Sequence, residues 1–271
     1  MSESAIPQNK RAIAQSFSRA AQTYDDVAQL QRHVGECLLQ QAMASVSVSH
    51  GQVILDLGCG TGYLPQKLVD GDSNQHQIIG LDLAFGMVQF ARQKISEEHV
   101  LFVCADAELL PLADNSVDLM VSNFAIQWCP SKASLFANIY RVLKPGGSFL
   151  FTLPGENTLW ELKQSWKQVD SEHSHVNQFM NVDALSYSLQ ASGLQLASLS
   201  SKTQTMHYQR LRDLTSELKA LGAHNLTEGR ARQLTGKAKL KQLIAAYEAF
   251  RDDDGLLPAT WDVIYGQCSK S

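Results

Sequence analysis

The stretch that decides the fold of this chain is Val53-Ile-Leu-Asp56-Leu-Gly58-Cys-Gly60-Thr-Gly62-Tyr63. Its first five residues form a largely apolar run of the kind that a buried strand needs. Three glycines then stand at alternate positions, where a backbone without side chains lets a ligand approach closely. A helical pattern follows, and the free N–H groups of its first turn face the same ligand. The stretch therefore predicts a strand, a ligand-binding turn and a helix.

Strands and helices continue to alternate after this unit. Apolar runs predict strands at residues 77–82, 100–104, 117–122 and 148–153, with helices at 63–69, 85–95 and 135–142. The last of these helices stops at residues 144–147, Lys-Pro-Gly-Gly, because proline cannot continue a helix and glycine permits the reversal. Repeated units of this length predict a parallel, doubly wound sheet with right-handed crossovers.

The two flanks are more helical than this central part. Residues 9–43 have helical spacing and predict a lid or a layer on the sheet edge. Helices are expected at 158–169 and 182–191, a strand at 194–199, inserted helices at 210–254 and a closing strand at 257–265. We expect an α/β, Rossmann-like sheet of seven strands in a single domain over residues 1–271. Its parts are a lid at about 9–43, a cofactor-binding core at about 52–154, and a remainder at 155–271 with a helical cap near 209–255.

Composition limits the partners of this domain. The chain has 271 residues, 44% hydrophobic and 18% charged, which predicts a packed core. A net charge of −4 argues against a surface that binds nucleic acid throughout. We find neither an apolar run of ~18 residues nor the apolar stretch of a secretory signal. Five scattered cysteines without a CxxC pair favour reduced thiols. We expect a cytoplasmic protein without a metal, a membrane or a nucleic-acid partner.

The glycine spacing separates two classes of ligand. A dinucleotide enzyme cradles a pyrophosphate, typically in a GxGxxG turn. Here the spacing is GxGxG, and Asp56 precedes the first glycine by two residues. Its charge would repel a pyrophosphate but could receive the ammonium of a methionine moiety. Asp82 ends the second strand, where it can accept both hydroxyls of a ribose. The pattern favours S-adenosylmethionine over a dinucleotide.

Further candidates follow the third and fourth strands. Asp106 could accept from an adenine amino group, with Leu83 and Met87 flanking the ring, and Asn123 would border the methylated centre. Ligands of open α/β sheets bind at the carboxyl ends of the strands, so these loops should converge on one crevice. The candidate cofactor residues are Asp56, Gly58, Gly60, Gly62, Asp82, Leu83, Met87, Asp106, Ala107 and Asn123.

From about residue 55 to residue 153 these motifs resemble the class I methyltransferases. The segments around Tyr24, Gln127, Trp160, Leu218 and Trp261 are similar to the malonyl-acyl carrier protein O-methyltransferases of biotin synthesis. That resemblance implies transfer of a methyl group from S-adenosylmethionine to the free carboxylate of a malonyl thioester on acyl carrier protein. The family usually shows a Leu-Thr-Gly-Arg run in the cap. Here the run ends in Lys237, which keeps the charge but loses the bidentate fork.

The acceptor chemistry that this resemblance implies asks little of the protein. A malonyl carboxylate is ionised at neutral pH, so no general base is required, and we find no nucleophile–base pair. Tyr24, Gln127 and Trp128 can donate hydrogen bonds without fully quenching the carboxylate. We predict that they line the acceptor pocket. The alternative is that Trp128 belongs to the core and Tyr24 contacts the cofactor as part of the lid.

The cap region is basic. Between residues 202 and 241, nine basic residues face three acidic ones, an excess of six positive charges. This asymmetry suits docking of a small acidic carrier protein, although a solvated basic helix face would give the same count. The candidate docking residues are Arg32, His33, Arg210, Arg230 and Arg232. His33 could equally be a packed or surface histidine.

Other functions remain open at the level of sequence. The same core could methylate a small free carboxylic acid or a quinone precursor, although a quinone would favour a more apolar cap. A non-catalytic protein that binds the cofactor and regulates a carrier would not consume S-adenosylmethionine. A tRNA methyltransferase would need stacking aromatics or a basic tail, which we do not find.

Overall fold

A computed structural model gives the structure of the protein and describes residues 10–45, 51–71, 76–223 and 236–271. The strands are Val53–Leu57 (β1), Gln77–Asp82 (β2), Val100–Cys104 (β3), Val117–Asn123 (β4), Leu143–Pro154 (β5), Gln195–Tyr208 (β6) and Leu257–Ser269 (β7). They form one sheet in the order β3-β2-β1-β4-β5-β7-β6. β1 to β5 run parallel, and β7 is antiparallel to β5 and β6. The expected α/β, Rossmann-like, mostly parallel sheet of seven strands is confirmed.

The described helices cover both faces of this sheet. They are Lys10–Ala20 (α1), Tyr24–Val27 (α2), Gln29–Ser45 (α3), Tyr63–Asp70 (α4), Phe85–Lys94 (α5), Lys132–Val142 (α6), Trp160–Val169 (α7), Val182–Ala191 (α8), Leu211–Ala220 (α9) and Lys237–Glu248 (α10). α3, α4 and α5 pack on one face of the sheet, and α6 and α8 pack on the other. Both faces of the central strands are buried, which explains their nearly continuous apolar runs. No helix in the described ranges is long and apolar enough to cross a membrane.

The N-terminal segment is interrupted where the sequence pattern predicts a continuous helical stretch. α1 ends at Ala20, whose carbonyl accepts hydrogen bonds from the Thr23 amide at 2.9 Å and the Thr23 hydroxyl at 3.2 Å. A threonine hydroxyl that bonds the backbone locally competes with continuation of a helix. The short α2 then turns the chain towards the glycine turn, and α3 begins at Gln29.

The predicted boundaries were too narrow for β5, β6 and β7. β6 was expected at 194–199, yet it runs from Gln195 to Tyr208 and pairs with β7 along that length. Most of its side chains are exposed, and its second half is polar, so the hydrophobic pattern ends before the strand does. β5 was expected at 148–153, yet it begins at Leu143 and includes residues 144–147, where a turn was predicted. Of the expected inserted helices at 210–254, α9 and α10 are described, and residues 224–235 lie outside the described residues.

The contact between β5 and β7 gives a stability prediction. A Cβ atom added at Gly266 of β7 would lie 2.1 Å from Cζ of the buried Phe151 in β5. We therefore expect Gly266→Ala to lower the free energy of unfolding by about 1–3 kcal/mol, because the core must shift to admit the methyl group. Urea denaturation measures the change. The control is Gly71→Ala, where the added Cβ makes only an ordinary contact at 3.4 Å. Equal stability of both variants would contradict the tight packing.

Candidate active site

The glycine turn between β1 and α4 has the backbone that its sequence predicts. Gly58, Gly60 and Gly62 all have positive φ angles, of 84°, 53° and 85°. A Cβ atom at Gly58 would lie 2.1 Å from the Ala125 Cβ, whereas one at Gly60 would meet open space. Gly58 and Gly60 line a cleft at the carboxyl ends of the strands, which we call the central cleft. Gly62 does not line it and instead begins α4, where an added Cβ would lie 3.1 Å from Ala91 of α5.

Asp82 fastens this turn to the end of β2. Its Oδ2 accepts the N–H of Gly60 at 2.9 Å, and its Oδ1 accepts the N–H of Ala84 at 2.8 Å. Burial raises the pKa of Asp82, and these amide hydrogen bonds oppose the shift. A carboxylate offers about four acceptor positions, so each oxygen can accept a further bond from a ligand hydroxyl in the cleft.

Asp56 is the buried acid of β1. Its side chain is 1% exposed, and among the described residues its Oδ1 has no hydrogen-bond partner. Burial, and then the charge of Asp82, raise the pKa of Asp56 to about 8. A buried carboxyl group without a donor is costly when ionised. The site is therefore suited to a cationic ligand group, which would relieve that cost.

Two connected spaces lie where the strand order reverses between β1 and β4. The central cleft has a volume of about 770 Å³, and a pocket of about 420 Å³ adjoins it. Asp56 lines the adjoining pocket, and Tyr24, Gly58, Gly60 and Asn123 line both spaces. The other predicted cofactor residues in the cleft wall are Asp82, Leu83, Met87, Asp106 and Ala107. All the predicted cofactor residues except Gly62 thus meet at one edge of the sheet.

α1 closes the cleft through residues that the sequence analysis did not single out. Lys10 Nζ lies 2.6 Å from Asp106 Oδ2 and 2.6 Å from Glu108 Oε2. Ile13 and Phe17 of the same helix also line the cleft. The acidic pair after β3 is visible in the sequence. The sequence does not show which basic residue of the N-terminal segment pairs with these two acids, because that depends on how α1 packs over the cleft.

Asp25 connects the lid to the glycine turn. Thr61 Oγ1 donates to Asp25 Oδ1 at 2.6 Å, and Lys94 Nζ lies 3.1 Å from Asp25 Oδ2. Arg32 Nη2 donates to the Asp25 carbonyl, and its guanidinium lies 5.4 Å from the ring centre of Tyr63. Arg32 therefore lines the adjoining pocket as part of this network.

The predicted acceptor residues fall into different spaces. Tyr24 lines the cleft, and burial followed by the charges of Asp82 and Asp25 raises the pKa of its hydroxyl. The phenol therefore stays protonated at neutral pH and can donate. Trp128 also lines the cleft and packs edge-on against Phe17, with ring centres 5.4 Å apart. Gln127 points elsewhere: its Nε2 donates to the carbonyl of Phe124 at 3.0 Å, and it does not line the cleft.

The remaining candidates differ in position. The side chain of Asn123 is already engaged, because its Nδ2 donates to the Gln31 carbonyl at 2.7 Å. His33 is exposed on α3. Arg210 precedes α9 and lies 3.0 Å from Asp213. Arg230 and Arg232 lie outside the described residues. In the described part of the chain, no group of three His, Cys, Asp or Glu residues is arranged to hold a metal ion.

Comparison with known proteins places this geometry in a family. Residues 55–151 match the family model described as a methyltransferase domain. The biotin biosynthesis bifunctional protein BioHC of Cellvibrio japonicus is 43% identical over 95% of this chain and 49% of that protein. The chain thus spans about half the length of such bifunctional relatives.

Other curated relatives match nearly the whole chain, and solved structures share its fold. The YcgJ protein of Bacillus subtilis superposes with a TM-score of 0.61 at 20% identity, covering 87% of this chain and 98% of that one. A Haemonchus contortus phosphoethanolamine N-methyltransferase, solved with S-adenosylhomocysteine, gives 0.59 at 18% identity, covering 93% and 57%. The malonyl-[acyl-carrier protein] O-methyltransferase of Gallionella capsiferriformans is 39% identical over 97% of this chain and 91% of that protein, and that of Methylovorus sp. is 41% identical over 97% and 89%. The chain belongs to the malonyl-[acyl-carrier protein] O-methyltransferase family.

Proposed function

We propose that this protein methylates the free carboxylate of a malonyl group held as a thioester on an acyl carrier protein, with S-adenosylmethionine as the methyl donor. The observation that carries the proposal is the match, over nearly the full length of both chains, to relatives that bear this name. Two residues that line the pocket beside the cleft support it: Asp56, whose Oδ1 is buried without a partner in the described structure, and the protonated phenol Tyr24. The reaction would be an early step of biotin synthesis in the cytoplasm.

The residues around the cleft fit the proposed cofactor. Asp56 would receive the ammonium group, since its Oδ1 lacks a partner in the described structure. Asp82 would accept the ribose hydroxyls with the acceptor positions that the glycine turn leaves free. Leu83 and Met87 would flank the adenine, next to Asp106. Gly58 and Gly60 would leave room for the ligand at the turn.

The protein residues would position the acceptor and exclude water. When bound, S-adenosylmethionine would supply the methyl group of its sulfonium to a carboxylate oxygen, which would give a methyl ester and a neutral thioether. The carboxylate needs no general base because it is already ionised. Tyr24 would hold it by a hydrogen bond from its protonated hydroxyl. Phe17 and Trp128 would close the cleft, so that opposite charges meet in an aligned, dry geometry.

The carrier protein would dock on the basic side of the cap. Arg210 is exposed at the start of α9, and Lys237, Lys239 and Lys241 are exposed on α10. Arg230 and Arg232 add to the same charge in the sequence. An acidic carrier would be steered to this region by complementary charge, mainly through its rate of association. Arg32 and His33 would lie on the lid side of the docked acceptor.

The direct test is a mass-spectrometric assay of malonyl-acyl carrier protein with S-adenosylmethionine. We expect the carrier to gain the mass of one methyl group, while acetyl-acyl carrier protein stays unchanged because it has no free carboxylate. Succinyl-acyl carrier protein reports on chain length. Methylation of free carboxylic acids or of a quinol, with the malonyl carrier untouched, would refute the proposed acceptor and retain the methyltransferase.

Tyr24→Phe separates the two roles that the sequence leaves open for this residue. If Tyr24 orients the acceptor, kcat/KM for the malonyl carrier should fall about 10- to 100-fold, because a misaligned carboxylate loses the in-line geometry. Affinity for S-adenosylhomocysteine, measured by calorimetry, should stay within about threefold. The matched control is Tyr187→Phe on the exposed face of α8. A loss of cofactor affinity without a change in acceptor turnover would assign Tyr24 to the lid.

Cofactor binding should depend on pH through Asp56. Its pKa of about 8 means that the ligand-free protein holds this carboxyl group protonated at neutral pH. An ammonium group prefers the ionised form, so binding of S-adenosylhomocysteine releases a proton. Affinity should then rise by up to about tenfold per pH unit between pH 6 and 7.5. Calorimetry at several pH values measures the slope. Asp56→Asn should bind more weakly and without that slope, while Asp70→Asn on exposed α4 keeps it. A flat profile in the unmodified protein would contradict this role.

A further inference from the structure

A third space, which we call the rear pocket, shares Trp128 as a wall residue with the central cleft. Its volume is about 440 Å³. The walls come from the turn after β4, from α7 and α9, and from β7. Among the residues that form them are Gln127, Leu159, Leu162, Phe179, Leu218 and Trp261. The proposed chemistry of the cleft does not use this space.

Three polar side-chain atoms of the rear-pocket residues are buried without hydrogen-bond partners in the described structure. One of them, His175 Nε2, lies 3.2 Å from a carboxylate oxygen of Asp170, whereas the other two have no such neighbour. Trp261 is 7% exposed, and its Nε1 has no hydrogen-bond acceptor. The side chain of Gln127 donates from Nε2 to the Phe124 carbonyl at 3.0 Å, and its Oε1 is buried without a donor. More than nine-tenths of buried polar groups in proteins are hydrogen-bonded, so a donor and an acceptor left over in one pocket indicate a missing ligand.

The chemistry of the pocket limits what that ligand can be. None of the described residues that line it is Lys, Arg, Asp or Glu, so it offers no countercharge to an anion or a cation. His175 is the titratable wall residue, and it is already engaged: its ring stacks on Trp166 with centres 3.6 Å apart, and its Nε2 lies 3.2 Å from Asp170. An apolar pocket with one spare donor and one spare acceptor matches a neutral secondary amide, which has one of each.

We propose that the rear pocket binds the amide-bearing pantetheine arm of the acceptor, with Trp261 donating to an amide carbonyl and Gln127 accepting from an amide N–H. This inference rests on the proposed function, since a carrier-bound malonyl group is joined to such an arm through its thioester. Trp128 borders both spaces, so they are neighbours, and an acceptor in the proposed arrangement would extend from the rear pocket to the cleft. Gln127 is then an acceptor-binding residue outside the cleft, and Trp261 is the residue that selects for the arm.

Trp261→Phe tests the donor while keeping an aromatic ring in the core. Phenylalanine leaves a smaller ring in a site that is only 7% exposed, so we expect a modest loss of thermal stability, and circular dichroism checks that the variant is folded at the assay temperature. The two acceptors are malonyl-pantetheine and a malonyl thioester of a plain alkanethiol, which lacks amides. The ratio of kcat/KM for the first to that for the second should fall about tenfold in the variant. The control, Trp160→Phe, removes an indole that packs on Phe250 outside the pocket and should keep the ratio.

Indole N–H resonances provide a readout that does not depend on turnover. The chain has four tryptophans, so an ¹⁵N spectrum gives few indole signals, and assignment through the backbone identifies that of Trp261. Titration with pantetheine should shift the Trp261 signal and leave that of Trp160 in place. An unchanged acceptor ratio, or no shift of the Trp261 signal at saturating pantetheine, would overturn the inference. The proposed function fails only if the unmodified protein also leaves malonyl-acyl carrier protein unmethylated. In that case the indole shift alone decides whether the pocket binds the arm.

Discussion

Two carboxyl groups at the ends of adjacent strands set the chemistry of this site. β1 and β2 pair in parallel, with Asp56 opposite Gly80 and Leu57 opposite Leu81, so Asp56 and Asp82 reach the same edge of the sheet. The two carboxyl groups cannot move apart unless the pairing of β1 with β2 is broken. Asp82 is stabilised by backbone amides, and those same bonds hold the glycine turn in place. The Oδ1 atom of Asp56 has no hydrogen-bond donor in the described structure, and the raised pKa of Asp56 keeps its carboxyl group protonated at neutral pH. The sheet therefore presents one carboxyl group held by backbone amides and one acid that ionises when a cation binds.

The lid over this site is fastened by contacts of a different kind. Lys10 pairs with two acids and Asp25 gathers three donors, yet the side chains of Lys10, Asp106 and Asp25 all keep roughly a quarter to a third of their exposure. Ion pairs with that much solvent around them contribute little each. Ile13, which is 3% exposed, and Phe17 add apolar contacts, so packing contributes more than the ion pairs to holding the lid on the cleft.

The sequence predicts the parts of the site that local rules control. The glycine turn and the acids at the strand ends follow from strand periodicity and from the topology of parallel sheets, which act over a few residues. Lys10 and the orientation of Gln127 depend on how distant segments pack, and a single sequence carries no local signal for that. Gly62 differs from the other two glycines of the turn, because it does not line the cleft and an added Cβ would lie 3.1 Å from Ala91 of α5. The extent of β6 escaped notice because an exposed edge strand does not need apolar residues.

The position of β7 has a consequence for how the chain is made. β7 is the last strand along the chain, yet in the sheet it lies between β5 and β6, and β6 has no other neighbour in the sheet order. During synthesis β1 to β5 therefore leave the ribosome first, and the β5 edge of their sheet is open. β6 follows and has no neighbouring strand with which to pair. Only the emergence of residues 257–269 seals that edge and recruits β6. The nascent chain thus carries an unprotected strand edge until residues 257–269 have left the exit tunnel, and a chaperone has most to protect in this interval.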